Sequence, residues 1–219
     1  MLVIQNYPIL YLIKLINTIK FMAENPLRTR FLKLSTIENR DAKIWEDEEN
    51  YKTSFYESID PEASIFLDYV VKKTNINDRI LDICCNQGRF LFGLLNRNYQ
   101  NLYGFDIMKP AIDKLINNPK FDSKKIEVKN VMGQEYLRCC DNEKFDWAIT
   151  YSATIELMHP QFNIFEHLYR VTQKGLILAI SENCHAYPRF YRYIAKREGF
   201  RLSEVVKINK EINILFFTK

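Results

Sequence analysis

Residues 80–95 read ILDICCNQGRFLFGLL, and this stretch decides the fold. An apolar run ends in Asp82. A short turn of small and polar residues follows, Cys84-Cys85-Asn86-Gln87-Gly88, and then an apolar pattern with helical spacing. A buried strand, a tight turn and a helix in that order are the opening of a nucleotide-binding unit, in which small residues let the backbone approach the ligand and the helix supplies N–H donors. The turn has cysteine and asparagine where glycine is usual. Asparagine is the non-glycine residue that best tolerates left-handed backbone geometry, so Asn86 can stand in for one glycine. Cys84 is small, and Gly88 keeps the last tight position.

Outward from this stretch the pattern alternates. A helix is expected over 61–74, with Pro61 in its first turn and an apolar stripe through Ile65, Phe66, Tyr69 and Val70. Strand 79–84 precedes a helix over 88–97, and strand 102–106 precedes a helix over 110–118. Strand 125–130 leads into a short helix around 133–140. Strand 145–151 precedes a helix over 161–172, and strand 175–181 one over 187–198. Strands alternating with helices imply right-handed crossovers and a parallel sheet. The runs 201–208 and 212–218 are joined by the polar turn NKE, so the chain closes on an antiparallel hairpin. The expected fold is α/β: a Rossmann-like, doubly wound, mainly parallel seven-stranded sheet, with an N-terminal helical cap over 1–59 and the sheet domain over 60–219.

The composition fits one such domain. The chain has 219 residues, 47% hydrophobic and 26% charged, and only 6 Gly and 7 Pro, which places it among ordered globular proteins. A net charge of +4 without a basic stripe argues against a nucleic-acid partner. The five cysteines, Cys84, Cys85, Cys139, Cys140 and Cys184, include two adjacent pairs with no zinc-site spacing. With no secretory signal pattern they are expected to be reduced thiols, in the cytoplasm, mostly as small buried residues, and no metal is expected. The first 22 residues are apolar, but Lys14, Asn17 and Lys20 interrupt them. From Pro8 onward Ile9, Leu12, Ile13, Ile16 and Ile19 share one helical face. An amphipathic helix is expected there rather than a membrane span. It could pack on the domain, on a second copy in a homodimer, or on a membrane surface.

The second strand ends in Asp106, eighteen positions after Gly88. An acid at this place accepts hydrogen bonds from ribose hydroxyls. Loop, acid and spacing together make the sequence resemble the class I S-adenosylmethionine-dependent methyltransferases over about residues 60–219. ILDICCNQGRF is similar to the family's hydrophobic-Asp-x-Gly-x-Gly-x-Gly loop, and LYGFDIMKPAI carries the family's acid. KFDWAITYSATIEL, VTQKGLILAIS and the closing hairpin continue the likeness. The Cys-Asn-x-Gly loop and the ENxHxxPRF-like stretch also resemble small enzymes of bacterial surface-sugar and secondary-metabolite clusters.

The resemblance implies S-adenosyl-L-methionine as cofactor, with S-adenosyl-L-homocysteine as product. Asp82, Cys84, Asn86 and Gly88 would shape the pocket for the methionine part. Asp106 would hold the ribose, Ile107 would lie against the adenine, and Met132 and Gly133 stand where the family has an adenine-binding acid. Tyr151 would border cofactor and acceptor.

Two loops at the carboxyl edge of the sheet carry the candidate chemistry. Residues 151–160 hold Glu156 and His159, and residues 181–190 hold Glu182, His185, Tyr187 and Arg189. His159, Glu156 and His185 are candidate catalytic bases, since histidine titrates near neutrality. Tyr151, Glu182, Tyr187 and Arg189 are candidates for holding a small-molecule acceptor. Methyl transfer to a hydroxyl or amine of a small metabolite, a sugar or glycan precursor among them, is the expected activity. A non-catalytic cofactor-binding subunit is the alternative. A nicotinamide oxidoreductase is disfavoured by the hairpin and by the chain's size.

Overall fold

The computed structural model describes residues 58–151, 155, 162–181 and 190–219. The expected cap over 1–59 therefore lies almost wholly outside the described residues. Within them the element order is α1 (Pro61–Lys73), β1 (Arg79–Ile83), α2 (Arg89–Leu95), β2 (Asn101–Asp106), α3 (Lys109–Ile116), β3 (Ile126–Asn130), α4 (Gly133–Cys139), β4 (Phe145–Tyr151), α5 (Ile164–Val171), β5 (Thr172–Ile180), α6 (Tyr191–Arg197), β6 (Arg201–Lys207) and β7 (Asn213–Thr218).

The seven strands form one sheet in the order β3-β2-β1-β4-β5-β7-β6. β1 to β5 are mutually parallel, and β7 runs antiparallel between β5 and β6. This is the expected doubly wound sheet with its antiparallel hairpin. The strand order reverses between β1 and β4, so the carboxyl ends of these two strands open the crevice in which such sheets bind ligands.

The central strands are apolar on both faces because helices cover both. One face packs Leu81, Phe105, Ala148 and Leu178 against Leu137, Phe165 and Leu168. The other packs Ile80, Ile149, Ile177 and Phe216 against Phe66, Val70, Leu91 and Leu115. Helix α1 starts where its sequence says: Asp60 caps it by accepting from the Ala63 amide at 2.8 Å, and Pro61 occupies its first turn. Its buried face is Ala63, Phe66, Leu67, Tyr69 and Val70. Ile65, expected in that stripe, is instead 46% exposed, and Leu67 takes its place in the core.

At the amino-terminal edge of the sheet the Trp147 indole N–H donates to Asp78 Oδ2 at 3.0 Å, and Lys174 Nζ donates to Asp78 Oδ1. This clasp ties β4 and β5 to the turn before β1. β5 starts at Thr172 rather than 175: Thr172 already pairs with Phe145, and the polar Gln173 and Lys174 lie at an irregularity before Gly175 pairs with Trp147. Four of the five cysteines are described, all as free thiols: Cys85 and Cys140 are buried, Cys84 is half-buried, and Cys139 is exposed. Among the described residues no helix is long and apolar enough to cross a membrane.

Candidate functional site

The turn after β1 repeats one backbone feature at every second residue. Cys84 (φ 54°), Asn86 (φ 51°) and Gly88 (φ 77°) all have positive φ. The left-handed region costs an L-residue about 1–2 kcal/mol, so glycine is the usual occupant. The chain adopts here the conformation of a three-glycine loop with only one glycine in it. Asn86 offsets part of its strain locally, since its Oδ1 accepts from the Gln87 amide at 2.8 Å. The Gly88 amide closes the turn by donating to the Cys85 carbonyl at 2.8 Å. Cys85 is buried and fills the space above Gly104, where a Cβ would sit 2.8 Å from its Sγ. Burial pushes the Cys85 thiol up, so it is a packing residue rather than a reactive one.

Two buried carboxyl groups flank this turn, and their partners differ. Asp106, at the end of β2, is 5% exposed. Its Oδ2 accepts from the Asn86 amide and its Oδ1 from the Met108 amide, each at 2.9 Å. Burial pushes its pKa up to about 6, while the amide bonds from Met108, Asn86 and Ile107 hold it down. A carboxylate has about four lone-pair sites, so these amides leave acceptor capacity for a further hydroxyl. Asp82, in β1, is 3% exposed, and its Oδ2 has no hydrogen-bond partner. Burial pushes its pKa up to about 8; the Arg89 cation pulls it down and Asp106 pushes it up.

The second rim of the site lies past β2. Asn130 Nδ2 donates to the carbonyls of Asp106 (3.0 Å) and Ile107 (2.9 Å), which clips β3 onto the segment that carries Asp106. The Val131 amide donates to the Asp106 carbonyl at 3.0 Å. Met132 is the N-cap of α4, and Gly133 is its buried first residue. Met132 and Gly133 thus lie where β3 runs into α4, one strand further from β1 than Asp106. Ile107 is half-buried beside them.

Tyr151 ends β4. Its ring packs with Phe66 and Phe90, both at 5.5 Å between centroids. The Arg89 guanidinium lies 4.9 Å from the Phe90 ring centre and 5.1 Å from that of Tyr151, and 3.6 Å from Asp60 Oδ2. Burial, then Asp60 and Glu62, push the Tyr151 phenol up to about 12, so it stays protonated near neutral pH. Glu62 in turn accepts from Asn209 Nδ2 at 2.7 Å, which joins the β6–β7 turn to the start of α1.

The structure therefore brings together Asp82, Cys84, Asn86, Gly88, Asp106 and Ile107, with Met132, Gly133 and Tyr151 at neighbouring strand ends. Glu156, His159, Glu182, His185, Tyr187 and Arg189 lie outside the described residues. Sequence reasoning missed Arg89 and Asp60. The only sequence signal for Arg89 is its place directly after Gly88, and for Asp60 its place directly before Pro61.

The residues fit S-adenosylmethionine on the chemistry of their donors and acceptors. Asp106 offers ribose hydroxyls a charged acceptor. Asp82, whose Oδ2 has no partner, offers an ammonium group an acceptor, and the turn between the two acids has the left-handed backbone geometry usual for glycine.

Residues 80–175, from β1 into β5, match the family model described as a methyltransferase domain. Three solved structures illustrate the likeness of fold. The 1,6-didemethyltoxoflavin-N1-methyltransferase of Burkholderia thailandensis, solved with 1,6-didemethyltoxoflavin and S-adenosylhomocysteine bound, has a TM-score of 0.63 at 12% identity over 84% of this chain and 90% of its own. A putative RNA methyltransferase of Pyrococcus horikoshii has 0.58 at 18% identity, over 88% of this chain and 94% of its own. The magnesium protoporphyrin IX methyltransferase of Synechocystis, with bound SAM, has 0.58 at 14% identity, over 87% of this chain and 88% of its own. No curated protein matches the sequence.

Proposed function

We propose that this chain, residues 80–175 of which match a methyltransferase domain, is a class I S-adenosylmethionine-dependent methyltransferase that transfers the methyl group to a hydroxyl or amine of a small metabolite, a sugar or glycan precursor being the class tested first. The observation that carries the cofactor reading is the loop Cys84–Gly88: three left-handed residues in alternation, held by its Asn86 amide to the buried acid Asp106.

S-adenosylmethionine, when bound, supplies a methyl group made electrophilic by its sulfonium. The chain's own part is binding and positioning. Asp106 would take the ribose hydroxyls, and Cys84, Asn86 and Gly88 would line the methionine part. Ile107, Met132 and Gly133 would lie along the adenine. Tyr151, protonated and packed on Phe66 and Phe90, would wall the acceptor side and could donate one hydrogen bond. A hydroxyl acceptor must lose its proton, and His159, Glu156 or His185 would take it. Glu182, Tyr187 and Arg189 would orient the rest of the acceptor. The acceptor class rests on the mild, dispersed charge and on the polar side chains of the two loops.

The test is incubation with methyl-deuterated S-adenosylmethionine and fractionated small metabolites, sugar nucleotides included, with mass spectrometry of the products. A labelled small molecule whose formation falls in His159→Ala or His185→Ala is the expected result. Label appearing only in RNA or protein would overturn the acceptor class.

A further inference from the structure

Residues 106–108, where β2 gives way to α3, are held from two sides. On one side the Asp106 carboxylate accepts on Oδ2 from the Asn86 amide of the loop. Its Oδ1 accepts from the Met108 amide two residues on, so the side chain closes a turn over its own backbone. Met108 is the N-cap of α3 and makes no side-chain cap of its own. The other hold comes from β3, an edge strand of the sheet. Its last residue, Asn130, lies in register with Asp106. Asn130 Nδ2 donates to two successive carbonyls, Asp106 at 3.0 Å and Ile107 at 2.9 Å. The Val131 amide adds a third bond, to the Asp106 carbonyl, at 3.0 Å. Two successive carbonyls converge on one nitrogen only where the chain leaves the strand, and Ile107 is that bend.

The direction of the Asp106 carboxylate and the bend at Ile107 are one geometry, because the bond to Met108 spans the bend. Whatever fixes the bend therefore aims the acid. Both hydrogens of the Asn130 amide nitrogen are engaged there, and a side chain without donors cannot replace them. Asn130 itself is exposed and fills no place in the core. Its contacts serve the bend rather than packing.

We propose that Asn130 is a positioning residue for the nucleoside half of the cofactor: by holding the carbonyls of Asp106 and Ile107 it aims the Asp106 carboxylate at the ribose and sets Ile107 against the adenine. The proposal rests on the reading of Asp106 as the ribose acid. Asn130 acts through the backbone of the neighbouring strand. Without its amide the two carbonyls turn to water, and the bend samples other orientations. A segment in the binding geometry one time in ten binds about tenfold more weakly. The loss is the same for every ligand that carries the nucleoside. The fold loses little, because water replaces the clip at an exposed site.

The experiment is calorimetric titration of the full-length wild type, Asn130→Ala and Asn130→Asp, with urea unfolding of each beside it. The ligands are S-adenosylhomocysteine and 5′-methylthioadenosine, which lacks the amino-acid part. Both ligands should weaken by the same factor in Asn130→Ala, about tenfold. Asn130→Asp keeps the shape and loses the donors, so it should weaken them at least as much. The urea midpoints should stay within about 0.3 M of wild type. Undiminished affinity in both variants, or a loss confined to S-adenosylhomocysteine, overturns the proposal while leaving the cofactor reading intact. Affinity lost only together with a midpoint lowered by about 1 M or more makes Asn130 a residue of the fold, and overturns it as well. Failure of the wild type to bind S-adenosylhomocysteine overturns both.

Discussion

Gly88→Ala is the sharpest test of the loop's geometry. Gly88 has φ 77°, so any side chain there meets the left-handed penalty of about 1–2 kcal/mol. A Cβ would also lie 2.7 Å from Leu115 Cδ1 and 2.9 Å from its Cγ. Leu115 is fully buried in α3, so it yields only by disturbing the core, at about 1–3 kcal/mol. Together the substitution should cost about 2–5 kcal/mol, a large part of the roughly 5–15 kcal/mol that holds such a domain folded. Cys84→Ala is the matched control. Its position is also left-handed, but it already bears a Cβ, so it adds no new backbone strain. Losing a half-buried sulfur there should cost about 1 kcal/mol. Urea unfolding of both variants against wild type reads the difference as a shift of midpoint, about 1 M for Gly88→Ala. A Gly88→Ala protein within about 0.5 kcal/mol of wild type would refute the reasoning, because neither the backbone angle nor the Leu115 contact could then be as described.

Three further outcomes follow from the same contacts. Asp82 has its pKa raised by burial, so its share of stability is full below the ordinary carboxylate range and is lost as pH rises toward about 8. The stability difference between wild type and Asp82→Asn, measured by urea unfolding at pH 5 and pH 8 without ligand, should therefore shift against wild type at the higher pH. Trp147→Phe removes the indole donor to buried Asp78 and should cost about 2–3 kcal/mol in the same assay, with S-adenosylhomocysteine affinity unchanged. Asp106→Asn deprives the Asn86 and Met108 amides of a charged acceptor and should weaken S-adenosylhomocysteine about a hundredfold, read by calorimetry.

The sheet was legible because its strands are short apolar runs set between helical patterns, and the closing hairpin because NKE separates two such runs. Ile65 shows where periodicity misleads. In a helix with apolar residues at 65, 66, 67, 69 and 70, spacing alone does not choose between Ile65 and Leu67, and packing against Gly93 chooses Leu67. The loop was half legible. Asn86 has a known tolerance for left-handed geometry, but nothing in the preferences of cysteine announces Cys84 at φ 54°; the surrounding fold imposes it. The contrast between Asp82 and Asp106 was not legible, because it depends on which carboxyl group meets the loop amides. Nor was the meeting of Asp60, Arg89 and Tyr151, which join a helix cap, a loop and a strand end far apart in sequence.

The central claim is that Cys84–Gly88 and Asp106 form a working cofactor site. Calorimetric titration with S-adenosylhomocysteine, of wild type and of Asp106→Ala, with NAD as a control ligand, tests it most directly. The account predicts binding in roughly the micromolar range, lost in Asp106→Ala and absent for NAD. Absence of binding at millimolar S-adenosylhomocysteine, or equal binding by the variant, would contradict it.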